Sequence, residues 1–94
     1  MANTIRTEKR LDTTHAPAFE KEVTELLDAG EKELYIDMTD TVYVSSVILR
    51  ILLTAQKRVK AAGGSMILQN VSANVMEVFD VTGFSGILTF EDRI

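Results

Sequence analysis

Apolar side chains along this chain switch between two spacings. Phe19, Val23, Leu26 and Leu27 recur at i, i+4, i+7 and i+8, one stripe of a helix for which Asp12-Thr13-Thr14 offers capping side-chain oxygens and Pro17 suits the first turn. Ala29-Gly30 closes it, because glycine takes the left-handed C-cap conformation. Glu33 to Met38 alternates apolar and polar with period two, and after a Thr39-Asp40 break Val42-Tyr43-Val44 makes a short extended segment. From Val47 to Ala62 the helical period returns, with Ile48, Ile51, Leu52, Ala55, Val59 and Ala62 inside an arc of about 100°. Gly63-Gly64 ends this central helix. Ser65 to Gln69 reads as a short buried strand, and Ser72 caps a third helix with Val75, Val78 and Phe79 on one face. Gly83 stops that helix, and Ile87 to Phe90 forms a last strand. Residues 1–11 carry Ile5 and Leu11 as their only large apolar side chains beyond Met1 and read as a short edge strand or arm. Helices alternating with strands require crossover connections, so the fold class is α/β with a sheet that is at least partly parallel.

Composition narrows the function classes. Ninety-four residues with 46% hydrophobic and 26% charged side chains suit one domain spanning 1–94, too small for a large catalytic fold. Ten Lys and Arg against fourteen Asp and Glu give a charge of −4, the wrong sign for holding nucleic acid by its phosphates or lying on an anionic membrane. The expected partner is a protein or a small ligand. With no cysteine and one histidine, disulfides, thiolate metal sites and cysteine nucleophiles are excluded by inventory, and no metal or other cofactor is expected. No apolar run approaches the ~18 residues of a membrane span and the start lacks a signal-peptide pattern, so the expected location is the cytoplasm.

Little else in the chain suggests catalysis. His15, beside Pro17, reads as an exposed helix-start residue with no Ser/Asp pair placed around it. Gly63-Gly64 follows a helix and lacks the context of a phosphate cradle. The informative stretch is Val42 to Arg50, where Ser45 and Ser46 meet the start of the central helix. A serine there ordinarily caps the helix by accepting a backbone N–H bond. The same position also leaves a hydroxyl exposed, and a phosphate on it would be stabilised by the free N–H groups and the helix dipole. Leu49 and Leu53 fall beyond the core arc, too far round to be fully buried, and read either as peripheral core or as an exposed apolar strip beside Ser46 for a partner protein. Arg50 and Lys57 lie opposite the core.

Several blocks now stand in one order: Leu11-Asp12-Thr13-Thr14-His15-Ala16-Pro17, Ile36-Asp37-Met38, Tyr43-Val44-Ser45-Ser46, Leu49-Arg50-Ile51-Leu52-Leu53, Gly63-Gly64-Ser65 and Val78-Phe79-Asp80-Val81-Thr82-Gly83-Phe84. Together, from Leu11 to Glu91, they resemble the STAS domain of bacterial anti-sigma factor antagonists. The resemblance implies a four- to five-stranded mixed sheet with three to four helices packed mainly on one face. It also implies a non-enzymatic regulator of transcription. In that family the unphosphorylated antagonist binds an anti-sigma factor that is also a serine kinase of the GHKL type, phosphorylation breaks the complex, and a serine phosphatase restores it.

The family block Asp-Ser-Ser/Thr-Gly-Leu-Arg, aligned on Leu49-Arg50, puts Ser46 at the phosphoacceptor position, with Ser45 the second choice. Ser45 stands where the family has aspartate, Val47 at the second hydroxyl and Ile48 at the glycine. The docking surface implied comprises Tyr43, Val44, Ser45, Val47, Leu49, Arg50 and Leu53. The family's N-terminal hairpin is replaced by about ten residues here, so the sheet is expected to lack its first strand, an edge that favours a homodimer. Two other readings stay open: a constitutive STAS scaffold or oligomerising module without phosphorylation control, and a small-ligand or nucleotide-binding domain.

Overall fold

A computed structural model describes residues 3–91. Along them run β1 (Thr4–Arg6), β2 (Arg10–Leu11), α1 (Ala16–Asp28), β3 (Glu33–Asp37), β4 (Tyr43–Val44), α2 (Ser46–Ala61), β5 (Ser65–Gln69), α3 (Ala73–Thr82), a 3-10 turn (Phe84–Gly86) and β6 (Thr89–Phe90). The main sheet has the order β1-β3-β5-β6, and β2 pairs with β4 in a separate ribbon. This is an α/β architecture. The resemblance implies a mixed sheet, whereas every ladder among the described residues is parallel. Each new strand of the main sheet enters after a helix, and a helical crossover delivers a parallel neighbour where a tight hairpin would deliver an antiparallel one.

Period two along the strands decides which face is buried. Ile5, Ile36 and Leu68 align across β1, β3 and β5, Leu34 aligns with Met66, and all five are buried. These strand residues join the apolar stripes of the helices in one cluster with Phe19, Val23, Ile48, Leu52, Val59 and Phe79. Each such side chain withdrawn from water contributes about 1.5–3 kcal/mol. On the opposite face Tyr35 and Ile67 lie side by side and are only half-buried. The ring of Phe90 packs on that of Phe79, centroids 5.5 Å apart, and ties β6 to α3.

Four expectations change. The sheet does not lack its first strand: β1 fills the edge beside β3, because Ile5 reaches the core and the Thr7 amide donates to the Asp37 carbonyl at 3.0 Å. Helix α1 starts at Ala16, without a side-chain cap; Asp12 instead accepts from the Thr14 amide at 3.1 Å, a local turn that competes with helix. Ile87 and Leu88 lie outside the last strand, since a 3-10 turn precedes it and β6 is two residues long. Leu49 is 7% exposed and belongs to the core, as described below.

The link from α2 to β5 depends on two glycines. Gly63 has φ +81°, a left-handed conformation that costs other residues strain. Gly64 has a different reason: a Cβ there would stand 1.9 Å from the Lys32 carbonyl oxygen, which accepts from the Ser65 amide at 2.7 Å. Backbone passes against backbone at that point.

Candidate functional site

The start of α2 is held in place from below by two buried threonines. Thr41 is wholly buried and donates its hydroxyl hydrogen bond to the Glu8 carbonyl at 2.7 Å, while also pairing with the Thr7 hydroxyl. The Val42 amide donates to the Lys9 carbonyl at 2.9 Å and the Ser45 amide to the Leu11 carbonyl at 3.1 Å, so the β2–β4 ribbon delivers the chain to the helix along a fixed path. The Ser72 hydroxyl donates to the Thr41 carbonyl at 3.4 Å and accepts from the Val75 amide at 3.3 Å, joining the same loop to the start of α3. Buried polar groups satisfied in this way fix geometry without the cost of orphaned donors.

The two serines at the junction have different surroundings. Ser45 is the N-cap, in extended conformation, yet its hydroxyl makes no cap bond; its Oγ is buried with no hydrogen-bond partner among the described residues. Its carbonyl receives the amides of Ile48 (3.1 Å) and Leu49 (3.4 Å). Ser46 is the first helical residue and is exposed, and its side chain makes no hydrogen bond among the described residues. The amides of Ser46 and Val47 likewise have no acceptor there, as the opening of a helix leaves them. No acidic residue lies in the first turn to neutralise the positive end of the helix dipole.

Around Ser46 the surface is mixed apolar and basic. Val42 and Tyr43 are 46% and 42% exposed, and the Arg10 guanidinium lies 4.5 Å from the centre of the Tyr43 ring. Arg10 also approaches Asp12 at 3.8 Å, and Asp12 contacts His15 Nδ1 at 3.1 Å. Partial burial would raise the Asp12 pKa, but the His15 side-chain and backbone hydrogen bonds, the His15 charge and the Thr14 amide outweigh it and hold the carboxyl below its usual value. On the other side of Ser46, a groove of about 310 Å³ runs between α1 and α2, lined by Pro17, Glu20, Val47, Arg50 and Ile51 among others.

The residues expected to form a docking surface separate into two groups. Tyr43, Ser46 and Arg50 are exposed, and Val47, Leu53 and Ser45 are half-buried. Val44 and Leu49 are 4% and 7% exposed and present no surface, which removes them from the set. Val44 turns inward from the ribbon. Leu49 is covered because α2 is buried on three sides: Ile51 faces α1 across the groove, Ile48 and Leu52 enter the core, and Gln56, on the Leu49 side, donates to the Ile87 carbonyl at 3.3 Å. Arg10 and Val42 were not anticipated. Their place depends on the parallel register Arg10↔Tyr43, a pairing between segments more than thirty residues apart with no local signal.

Among the described residues no group of three or more His, Cys, Asp and Glu is placed to hold a metal ion, and no helix is long and apolar enough to cross a membrane. The site presents one exposed hydroxyl, a stacked Arg–Tyr pair and a largely apolar groove.

Comparison with known proteins agrees with this architecture. The STAS domain family model matches residues 3–94. The anti-sigma-B factor antagonist of Bacillus subtilis is 32% identical over 78 residues, 83% of this chain and 71% of that protein. BtrV of Bordetella bronchiseptica, named as a candidate anti-sigma factor antagonist, is 30% identical over 77 residues; the chain spans 82% of its own length and 66% of BtrV. A crystal structure of a candidate anti-sigma factor antagonist from Thermotoga maritima superposes with TM-score 0.85 at 23% identity, covering all of this chain and 83% of the other. The phosphorylated Bacillus cell fate determinant SpoIIAA superposes with TM-score 0.73 at 18% identity, over 96% of this chain and 82% of its own. With its sheet order, its central helix and these relatives in agreement, the chain belongs to the STAS domain family, among the anti-sigma factor antagonists.

Proposed function

We propose that this chain is a phosphorylation-switched antagonist of an anti-sigma factor. Unmodified, it binds an anti-sigma factor that is also a serine kinase of the GHKL type, through the surface around Tyr43, Ser46, Val47 and Arg50. The kinase passes the γ-phosphoryl group of ATP to Ser46 Oγ: the Oγ–P bond forms, the bond to the ADP oxygen breaks, and the hydroxyl proton is released. The phosphorylated chain dissociates, and a serine phosphatase resets it. The chain acts as ligand and substrate.

The observation that carries this reading is the Ser46 hydroxyl, exposed on the first turn of α2 and engaged in no hydrogen bond among the described residues. A phosphate there adds about two negative charges beside unpartnered amides and the positive end of a helix dipole, so the fold tolerates it while the docking surface changes sign. The buried Ser45 Oγ is out of reach of a kinase unless the junction opens. The test is incubation with the partner kinase and ATP, followed by mapping of the phosphate by mass spectrometry. Modification at Ser46, abolished by Ser46→Ala, is the expected result; modification elsewhere, or none, removes Ser46 from the switch.

A further inference from the structure

Next to the acceptor hydroxyl stands a cation with no ion-pair partner among the described residues. Arg50 follows Ser46 by four residues on α2, so both lie on one stripe of the helix, with Cβ atoms about 5–6 Å apart. Helical side chains lean toward the N-terminus, which carries the Arg50 side chain back over Ser46. Both residues are exposed. The neighbouring arginines are already engaged, Arg10 with Asp12 and Tyr43, and Arg58 with Asp28. Arg50 makes no ion pair among the described residues, although Glu20 lines the same groove from α1.

We infer that a phosphate on Ser46 draws Arg50 into an intrahelical ion pair, so that modification withdraws the groove's cation from the partner as well as adding negative charge. This rests on Ser46 being the acceptor. The guanidinium fork matches two phosphate oxygens, and an anion four residues before a cation is the favourable order along the helix dipole. In the unmodified chain Arg50, without an ion pair among the described residues, lines a groove with Pro17, Val47 and Ile51, a site suited to a partner segment offering an apolar side chain beside a carboxylate. The same arginine thus has two competing partners, and phosphorylation decides between them.

The full chain made with phosphoserine at position 46 by chemical ligation tests this without a kinase. Phosphorus NMR follows the second ionisation of the phosphate, ordinarily near pH 6, in the parent sequence, in Arg50→Gln and in Arg50→Lys. The ionisation is expected about 0.3 pH unit lower with Arg50 than in Arg50→Gln, with Arg50→Lys between them and the difference fading toward 1 M salt. Equal ionisation in the parent and in Arg50→Gln would overturn the inference. Because the phosphate is installed chemically, a failure of the kinase to choose Ser46 is a separate result that strikes the proposed function alone.

Discussion

Replacing Ser45 by alanine distinguishes the two adjacent serines by stability. An N-cap serine ordinarily accepts a bond from the first turn, and its loss to alanine costs about 1 kcal/mol. Ser45 makes no such bond, and its Oγ is buried with no partner, while its backbone carbonyl alone receives the first helical amides. A hydroxyl taken out of water without a partner costs about 1–3 kcal/mol. Removing it leaves a gap of one oxygen atom, whose lost dispersion contacts offset a few tenths of a kcal/mol. The net expectation is a gain of about 1 kcal/mol, opposite in sign to the capping rule. For a chain of this length that raises Tm by about 4–8 °C in thermal unfolding followed by circular dichroism. Ser46→Ala removes an exposed hydroxyl with no hydrogen bond among the described residues and stays within about 0.5 kcal/mol of the parent. A Tm several degrees lower for Ser45→Ala would refute the reasoning, since it would mean that the hydroxyl caps the helix after all.

Gly64→Ala places a Cβ 1.9 Å from the Lys32 carbonyl oxygen, a backbone atom that cannot swing aside, and is expected to cost about 3 kcal/mol or more, against about 1 kcal/mol for Gly63→Ala, whose space is open. Urea midpoints of the two variants give the order directly, and equal midpoints would contradict it. Leu49→Ala should cost about 2–5 kcal/mol in the same assay, as a core residue does, where an exposed edge residue would change little. The Asp37 carboxyl is held below its ordinary 3.8 by the Thr39 hydroxyl and the Asn70 amide, which prevail over desolvation, helped by the Thr39 backbone N–H and Arg6. A carboxyl with a lower pKa folded than unfolded stabilises the fold above the unfolded value and loses that contribution as pH falls through the folded one. Tm measured from pH 7 to pH 2.5 should therefore fall below about pH 4, and less steeply for Asp37→Asn; parallel curves would contradict the assignment.

Local periodicity made most of the elements legible. The strand Ser65–Gln69 has the expected bounds, the central helix expected from Val47 to Ala62 runs Ser46–Ala61, and the Ser72 cap accepts from the Val75 amide. What the sequence could not show is non-local. A 100° arc on the central helix assumes one covering surface, but α1 and the segment through Ile87 widen the buried arc to about 160° and take in Leu49 and Gln56. The Thr7–Thr41 pair and the Arg10↔Tyr43 register join segments some thirty residues apart, and threonine and arginine read individually as surface residues. Ser45 shows the limit of residue preference: the type suits a cap, but packing at the β4–α2 junction directs the hydroxyl inward. The preference for Ser46 over Ser45 as candidate acceptor comes from the family block alone, since spacing gives two serines and no means of choosing between them.

Under the proposed switch, the state of the Ser46 hydroxyl sets the affinity of the chain for an anti-sigma factor. Isothermal titration of that partner, at one salt concentration, into the chain carrying serine and then phosphoserine at position 46 tests it most directly. Tight binding to the unmodified chain and an affinity about a hundredfold lower for the phosphorylated one are expected. Equal affinity for the two forms, or tighter binding to the phosphorylated chain, would contradict it.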